Sequence, residues 1–209
     1  MDLPRPGRPG IAGDVRSLRQ RLGIAPSARV ALYSRNLEPY QGVSELLEAM
    51  PDLVREFPDA VLVLLGAEGS PRDSFRLRAD ALGICGAVRL VGRQPREEVP
   101  TYLAKADVLV SPRIYGENLP LKVFEYLSAG RPIVASDIPA HRQVLGEGRA
   151  TLVPPRAADL STAIAHVLRD PSRAQSMAEA ARSYARERLD WPNFVGAVER
   201  LWMSVRGHG

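Results

Sequence analysis

Two glutamates stand eight residues apart in the densest polar stretch of the chain, 112–132, PRIYGENLPLKVFEYLSAGRP. Glu117 falls in a loop after an apolar run that ends near Ser111, and Glu125 falls in the helix that follows. Between them Pro120 suits a first helical turn, where its missing N–H costs nothing. A helix N-terminus carries free backbone N–H groups and a partial positive charge, a setting for a phosphate. Lys122 occupies that first turn, where the helix dipole favours an anionic side chain; a cation there fits an anion docking nearby. The plain alternative is a surface loop before an ordinary amphipathic helix. Leu121, Phe124, Tyr126, Leu127 and Ala129 would then face the core, with Lys122 and Glu125 in water.

The elements that must position these residues are legible as an alternation. Residues 1–13 are rich in Pro and Gly and read as an extended linker. A short helix follows over 14–23, with Asp14 at its cap and Gly23 at its end. Strands are expected at Ala28–Ser34, Ala60–Leu65, Ala87–Val91, Ala106–Ser111, Pro132–Ser136 and Ala150–Val153. Helices are expected at Val43–Phe57, Ser74–Leu82, Arg96–Ala104, Leu121–Ala129, Ala140–Leu145, Ala157–Arg169, Ser172–Arg188 and Pro192–Val205. Six strands, mostly apolar throughout and each separated by a helix, describe a parallel sheet covered on both faces. The fold class is therefore α/β, a Rossmann-like doubly wound six-stranded sheet with a helical C-terminal tail. Ligands of such sheets bind beyond the carboxyl ends of the strands, which directs attention to loops 34–42, 66–73, 92–96, 112–120 and 136–140.

Composition excludes several classes. The 209 residues are 45% hydrophobic and 25% charged, ordinary values for a folded chain. No apolar run approaches the ~20 residues of a membrane span, and the start MDLPRPGRPG has no apolar signal core. One cysteine, Cys85, excludes an internal disulfide framework and a multi-cysteine zinc site. The net charge of +4 is already reached in residues 1–30, with six Arg against Asp2 and Asp14, so the rest of the chain is neutral. A nucleic-acid partner is not expected, because such domains carry a basic stripe on the folded body. The basic start reads as a solvated linker and helix face, and contact with acidic membrane lipids is the second reading. Neither G-x-G-x-x-G after the first strand nor G-x-x-x-x-G-K-[ST] anywhere is present, which argues against a nicotinamide-dinucleotide fold and a P-loop NTPase. No D-x-D follows a strand, so no metal site is expected. His141 reads as a ligand contact or a surface residue at a helix start; His166 and His208 read as bystanders, and Asp107 as a cap or pairing residue.

From Ala28 to Trp202 the order of elements and loop residues resembles the C-terminal half of retaining nucleotide-sugar glycosyltransferases of the GT-B fold, family 4. The segments that carry the likeness are RNLEPYQGVSELLEAM, VLVLLGAEG, VRLVGRQPREEVPTYLAKADVLVSP, the E-x7-E stretch ENLPLKVFE with EYLSAGRPIVASD after it, and LRDPSRAQSMAEAARSYARER. The resemblance implies that Glu125 accepts hydrogen bonds from ribose hydroxyls and that Glu117 holds a hydroxyl of the donor sugar. It implies that the amides of Asn118, Leu119, Pro120, Leu121 and Lys122 form the segment holding the diphosphate and sugar, Pro120 having no N–H of its own. Gly92 and Arg93 would sit at the nucleobase through main chain, and Gly66 and Gly69 would let the loop after the second strand pass close to the nucleotide; turn geometry explains those glycines equally well.

The sequence departs from the family pattern at the phosphate grip. Relatives carry an Arg just after the first strand and a Lys five residues on. Counted back from Gly42, those places hold Asn36 and Gln41, with Arg35 one residue out of step. Arg35, Lys122 and Arg113 are the cations left to serve, and the relatives' later acidic residue appears as Gln143.

The implied reaction is a front-face transfer from a UDP- or GDP-sugar, without a further cofactor, in which the leaving diphosphate helps remove the acceptor's proton. The implied arrangement places the acceptor site on a further N-terminal domain or a partner chain. Residues 1–27 would be the hinge remnant, 28–190 the nucleotide-sugar-binding domain and 191–209 a return helix. The stripe Phe194, Val198, Leu201, Trp202 and Val205 either returns toward the other half or packs on this domain. The expected setting is cytoplasmic, with membrane association of the full enzyme open. The alternative function is a non-catalytic nucleotide-sugar-binding module acting with a partner chain; an epimerase half is disfavoured because its acid/base set is not visible.

Overall fold

A computed structural model describes residues 15–118, 120–146 and 148–188. Six strands form one sheet, β1 (Arg29–Ser34), β2 (Ala60–Leu65), β3 (Val88–Val91), β4 (Val108–Ser111), β5 (Ile133–Ser136) and β6 (Thr151–Val153), in the order β3-β2-β1-β4-β5-β6. Every pairing is parallel. Among the described residues the α-helices are α1 (Val15–Arg21), α2 (Val43–Glu56), α3 (Gly69–Ala81), α4 (Val99–Lys105), α5 (Leu121–Ala129), α6 (Pro139–Leu145), α7 (Ala157–Arg169) and α8 (Pro171–Arg188). The strand order reverses between β1 and β4, and in sheets of this kind the ligand crevice lies beyond the carboxyl ends of the pair at such a reversal.

The continuous apolar runs are explained by two cores. In β1, Ala31 and Tyr33 face one core, while Val30 and Leu32 face the other; Leu62 and Leu64 of β2 oppose Val61 and Val63 in the same way. The first core is closed by α2, α3, α7 and the start of α8, the second by α1, α4, α5, α6 and the end of α8. Helix α8 therefore changes faces along its length, with Ala174 and Met177 in the first core and Ala181 and Ala185 in the second.

Helix starts differ from the sequence reading by more than one residue at two places. Helix α4 begins at Val99 rather than Arg96, because Pro100 has no N–H for Arg96 and its ring would press on that carbonyl. Helix α3 begins at Gly69 rather than Ser74, since Pro71 falls in its first turn, where no intrahelical donor is needed. Gly69 is thus a helix residue and not part of a free loop. Helix α1 belongs to the folded body instead of standing apart with a linker. Leu18 and Ile24 are buried in the second core, and Arg19 Nη1 donates to the carbonyls of Ala25, Pro26 and Ala28 at 3.1, 3.1 and 2.8 Å. Residues 1–14 and 189–209, with the expected linker, the Asp14 cap, His208 and the 191–209 helix, lie outside the described residues.

Candidate functional site

The loop after β1 and the loop after β4 are knitted together over the crevice. Gly42 has φ of 70°, and a Cβ there would stand 1.9 Å from the Pro112 carbonyl oxygen, so only glycine lets the two backbones meet. Ile114 N–H donates to Tyr40 O at 2.9 Å just beyond this crossing. Helix α5 is tied to both strands by one residue. The Tyr126 hydroxyl accepts from Ser34 N–H at 2.9 Å and donates toward Val110 O at 3.4 Å. Burial pushes this phenol up to about 12, so it keeps its proton.

Lys122 decides between the two sequence readings. Only 2% of it is exposed, whereas Leu121 is 59% exposed. The amphipathic-helix alternative, with Lys122 in water and Leu121 on the core, is therefore overturned. The Lys122 ammonium donates to Gln41 Oε1 at 2.9 Å and lies 4.1 Å from the Tyr33 ring centroid. Among the described residues no carboxylate pairs with it. Burial pushes its pKa well below the usual lysine range, and Arg113 and Arg35 add to the push. Three cations thus converge beside the start of α5, and this electropositive corner is where an anion gains most.

The other candidates divide by place. Arg35 follows β1, and its Nη2 donates to Glu125 Oε1 at 2.5 Å. Glu125 Oε2 is buried and has no partner among the described residues. Asn36 is exposed, and its carbonyl accepts from the Tyr33 hydroxyl at 2.6 Å. Arg113 braces its own loop, donating to Tyr115 O at 2.8 Å and Asn118 O at 2.9 Å while its guanidinium lies over Tyr40. Glu117 and Asn118 are exposed in that loop, and Gln143 Nε2 donates to Glu117 O at 3.2 Å. Pro120 is the N-cap of α5, and Leu119 lies outside the described residues.

Gly66, Gly92 and Arg93 follow β2 and β3, the strands on the β1 side of the crevice. The close approach that needs Gly66 is to protein backbone, since a Cβ there would lie 2.6 Å from Arg35 O. Arg93 N–H is already engaged by Glu68 Oε1 at 2.7 Å, so that donor is held by the chain itself.

Two residues have roles that the sequence did not show. His141 is fully buried rather than a surface residue. Ser136 O can only accept, so His141 Nδ1 carries the proton of that 2.8 Å bond and Nε2 accepts from the Ser111 hydroxyl at 3.1 Å. Burial, with lesser contributions from Lys122 and Arg113, outweighs the Ser136 bond and brings the imidazole down to about 4. It serves as a neutral spacer between the ends of β4 and β5. Glu68 was missed because an acidic residue after a strand has no distinguishing pattern. Asp107 does pair, its Oδ2 accepting from Val30 N–H at 2.7 Å and facing Arg19 at 3.4 Å. Among the described residues no group of three or more His, Cys, Asp and Glu side chains could hold a metal ion, and no helix is long and apolar enough to cross a membrane. A hollow of about 500 Å³ between α2 and α7 lies away from the crevice, at the ion pair of Glu56 and Arg169.

A sheet reversing between β1 and β4, with cations and a carboxylate gathered over the reversal, is the frame of nucleotide-binding α/β domains. The family model for glycosyl transferases group 1 matches residues 14–184, and the chain belongs to that family. It is 32% identical over 191 residues to the phosphatidyl-myo-inositol mannosyltransferase of Mycolicibacterium smegmatis, covering 90% of this chain and 48% of that protein. The chain thus spans about half the length of the curated relatives it matches. Anabaena HepE in complex with UDP superposes with a TM-score of 0.82 at 20% identity, over 93% of this chain and 53% of that one. The C-terminal domain of the group 1 glycosyl transferase LpcC from Francisella tularensis gives 0.71 at 16% identity, over 86% of this chain and 95% of that one.

Proposed function

We propose that this chain is the donor-binding half of a retaining glycosyltransferase that takes a nucleoside-diphosphate sugar. The observation that carries the reading is Lys122, a buried ammonium whose hydrogen-bond partner is a neutral amide, flanked by Arg35 and Arg113 at the start of α5. A buried cation without a counter-charge is costly, and a diphosphate supplies the charge that balances it. Glu125, one turn into the same helix, would offer its unpartnered Oε2 to a ribose hydroxyl, and Glu117, exposed on the loop before that helix, would reach the sugar. The loop at Gly92 and Arg93 would meet the base. Arg113 is given the lesser task of shaping the 113–118 loop, because its guanidinium is spent on two carbonyls there.

The chemistry asked of these residues is electrostatic. As the bond between the anomeric carbon and the diphosphate oxygen breaks, negative charge grows on the leaving group. Lys122 and the α5 amides stabilise it without reorganising. The acceptor's hydroxyl oxygen bonds to the anomeric carbon from the face the diphosphate leaves and gives its proton to the departing diphosphate oxygen, so configuration is retained. The acceptor would be held by a further domain or a partner chain.

Calorimetric titration in EDTA tests the assignment with free nucleoside diphosphates (UDP, GDP, ADP) and their sugar conjugates. Glu125→Ala should weaken both ligand types by roughly ten- to a hundredfold, the value of hydrogen bonds to a charged acceptor. Glu117→Ala should spare the free diphosphate and weaken the sugar conjugate alone. Negligible effects of both substitutions on both ligand types would refute the assignment.

A further inference from the structure

Arg35 is the one non-glycine residue with a positive φ among the described residues, at 110°. A residue with a Cβ is rarely found there, and such strain persists only where the surroundings over-determine it. Here they do. Arg35 N–H donates to Leu65 O at 2.9 Å, extending the β1–β2 ladder by one residue. On its far side the carbonyl turns against Gly66, itself at φ of 104°, where a Cβ would come within 2.6 Å of Arg35 O. A glycine at position 35 would adopt this backbone freely, yet the position holds an arginine.

What the conformation achieves is aim. The side chain leaves the end of β1, crosses the crevice and places Nη2 2.5 Å from Glu125 Oε1 on α5. The two carboxylate oxygens are thereby made unequal, because Oε1 is tethered while Oε2 is buried and unpartnered. An ionised carboxyl group accepts only, so Oε2 awaits a donor. The guanidinium also offsets the Glu125 charge, which would otherwise repel a diphosphate near Lys122.

We infer that Arg35 is a positioning residue whose strained backbone clamps the Glu125 carboxylate so that Oε2 is presented to the ribose hydroxyls of the nucleotide. The inference rests on the nucleotide-binding reading above and adds the device that makes Glu125 selective for a ribose diol. With its rotamer fixed in advance, Glu125 loses less conformational freedom when the ligand arrives.

The test compares each nucleoside diphosphate with its 2′,3′-dideoxy counterpart, which keeps the base and the diphosphate but lacks both hydroxyls. Wild type should bind the ribose form roughly ten- to a hundredfold more tightly than the dideoxy form. In Arg35→Gly that ratio should fall to within about threefold, as it should in Glu125→Gln, while Arg35→Lys retains part of it. Thermal unfolding supplies the second measurement. Arg35→Gly and Arg35→Ala lose the same guanidinium, but only glycine relieves the backbone, so Arg35→Gly should melt at the higher temperature. A ribose preference that survives Arg35→Gly, or Arg35→Gly melting below Arg35→Ala, overturns the clamp and leaves nucleotide binding intact. Wild type binding both forms equally overturns the clamp as well. Failure of wild type to bind any of these diphosphates overturns the nucleotide-binding reading itself.

Discussion

Replacing Lys122 should have opposite effects on stability and on binding. Lys122→Met keeps an unbranched chain of similar length in a site that is 2% exposed, beside the Tyr33 ring. It removes a buried charge whose effective desolvation cost is several kcal/mol. Against that gain, Gln41 Oε1 loses its donor, a loss of roughly 1 kcal/mol. The ligand-free variant should therefore be as stable as wild type or up to about 2 kcal/mol more stable, a rise of roughly 2–4 °C in Tm per kcal/mol. Diphosphate affinity should fall about ten- to a hundredfold with the loss of a charge-assisted bond. The pH dependence has a definite sign. The folded lysine has a lowered pKa, so the unfolded chain binds more protons and stability rises with pH up to the ordinary lysine value of about 10.4. The stability advantage of Lys122→Met should then shrink as pH is raised toward that value. Urea melts at several pH values, with calorimetry on the same samples, give both readings. A loss of 3 kcal/mol or more, an advantage that is flat with pH, or unchanged diphosphate affinity would refute the account of Lys122.

Three further outcomes are expected. Gly42→Ala should lose more than about 2 kcal/mol in a denaturant melt, because φ of 70° and a Cβ 1.9 Å from Pro112 O force the two loops apart. His141 has a folded pKa of about 4, below its unfolded value, so its stabilisation is full above about pH 6.5 and lost as pH falls toward 4, by about 3 kcal/mol at most; His141→Gln should flatten wild type's stability–pH curve over that interval. Asp107→Ala should cost about 1–3 kcal/mol in the same melts, since the Val30 N–H it serves at 2.7 Å loses its acceptor.

The strands were legible because each is a short apolar run between breakers; AVLVLL at 60–65 is buried at every position and could be little else. Helix beginnings were less legible where a proline stands close by. Pro71 permits an earlier start and Pro100 enforces a later one, and position within the first turn decides which. Of the site, the crevice loops and the α5 start were readable from spacing. The fate of Lys122 was not, because helical periodicity puts a residue on a face without saying which loop lies across it. Gln41 and Tyr33 meet Lys122 from 81 and 89 residues away. His141 was misjudged for a related reason, as its burial depends on Ser111 and Ser136 at the ends of two other strands. Arg35 was noted as a spare cation, but its aim at Glu125 depends on a backbone angle that no pattern of residue types encodes.

The sheet has a seam. Six residue pairs, from Arg29↔Ala60 to Ser34↔Leu65, join β1 to β2, but only Ala31↔Val108 and Leu32↔Leu109 join β1 to β4. Everything from β1 to β3 is contiguous in sequence and holds together through long ladders, and the β4–β6 portion is fastened to it along this short edge. In the sheet itself the pairing is thinnest there, while α2 and α7 share the first core across it. The crevice lies over that line, and the Gly42–Pro112 crossing, the Arg35–Glu125 pair and the Lys122–Gln41 bond are all stitches across it. A ligand seated in the crevice would add a further stitch, so occupancy should register as slower amide exchange along β4 as well as in the loops it touches.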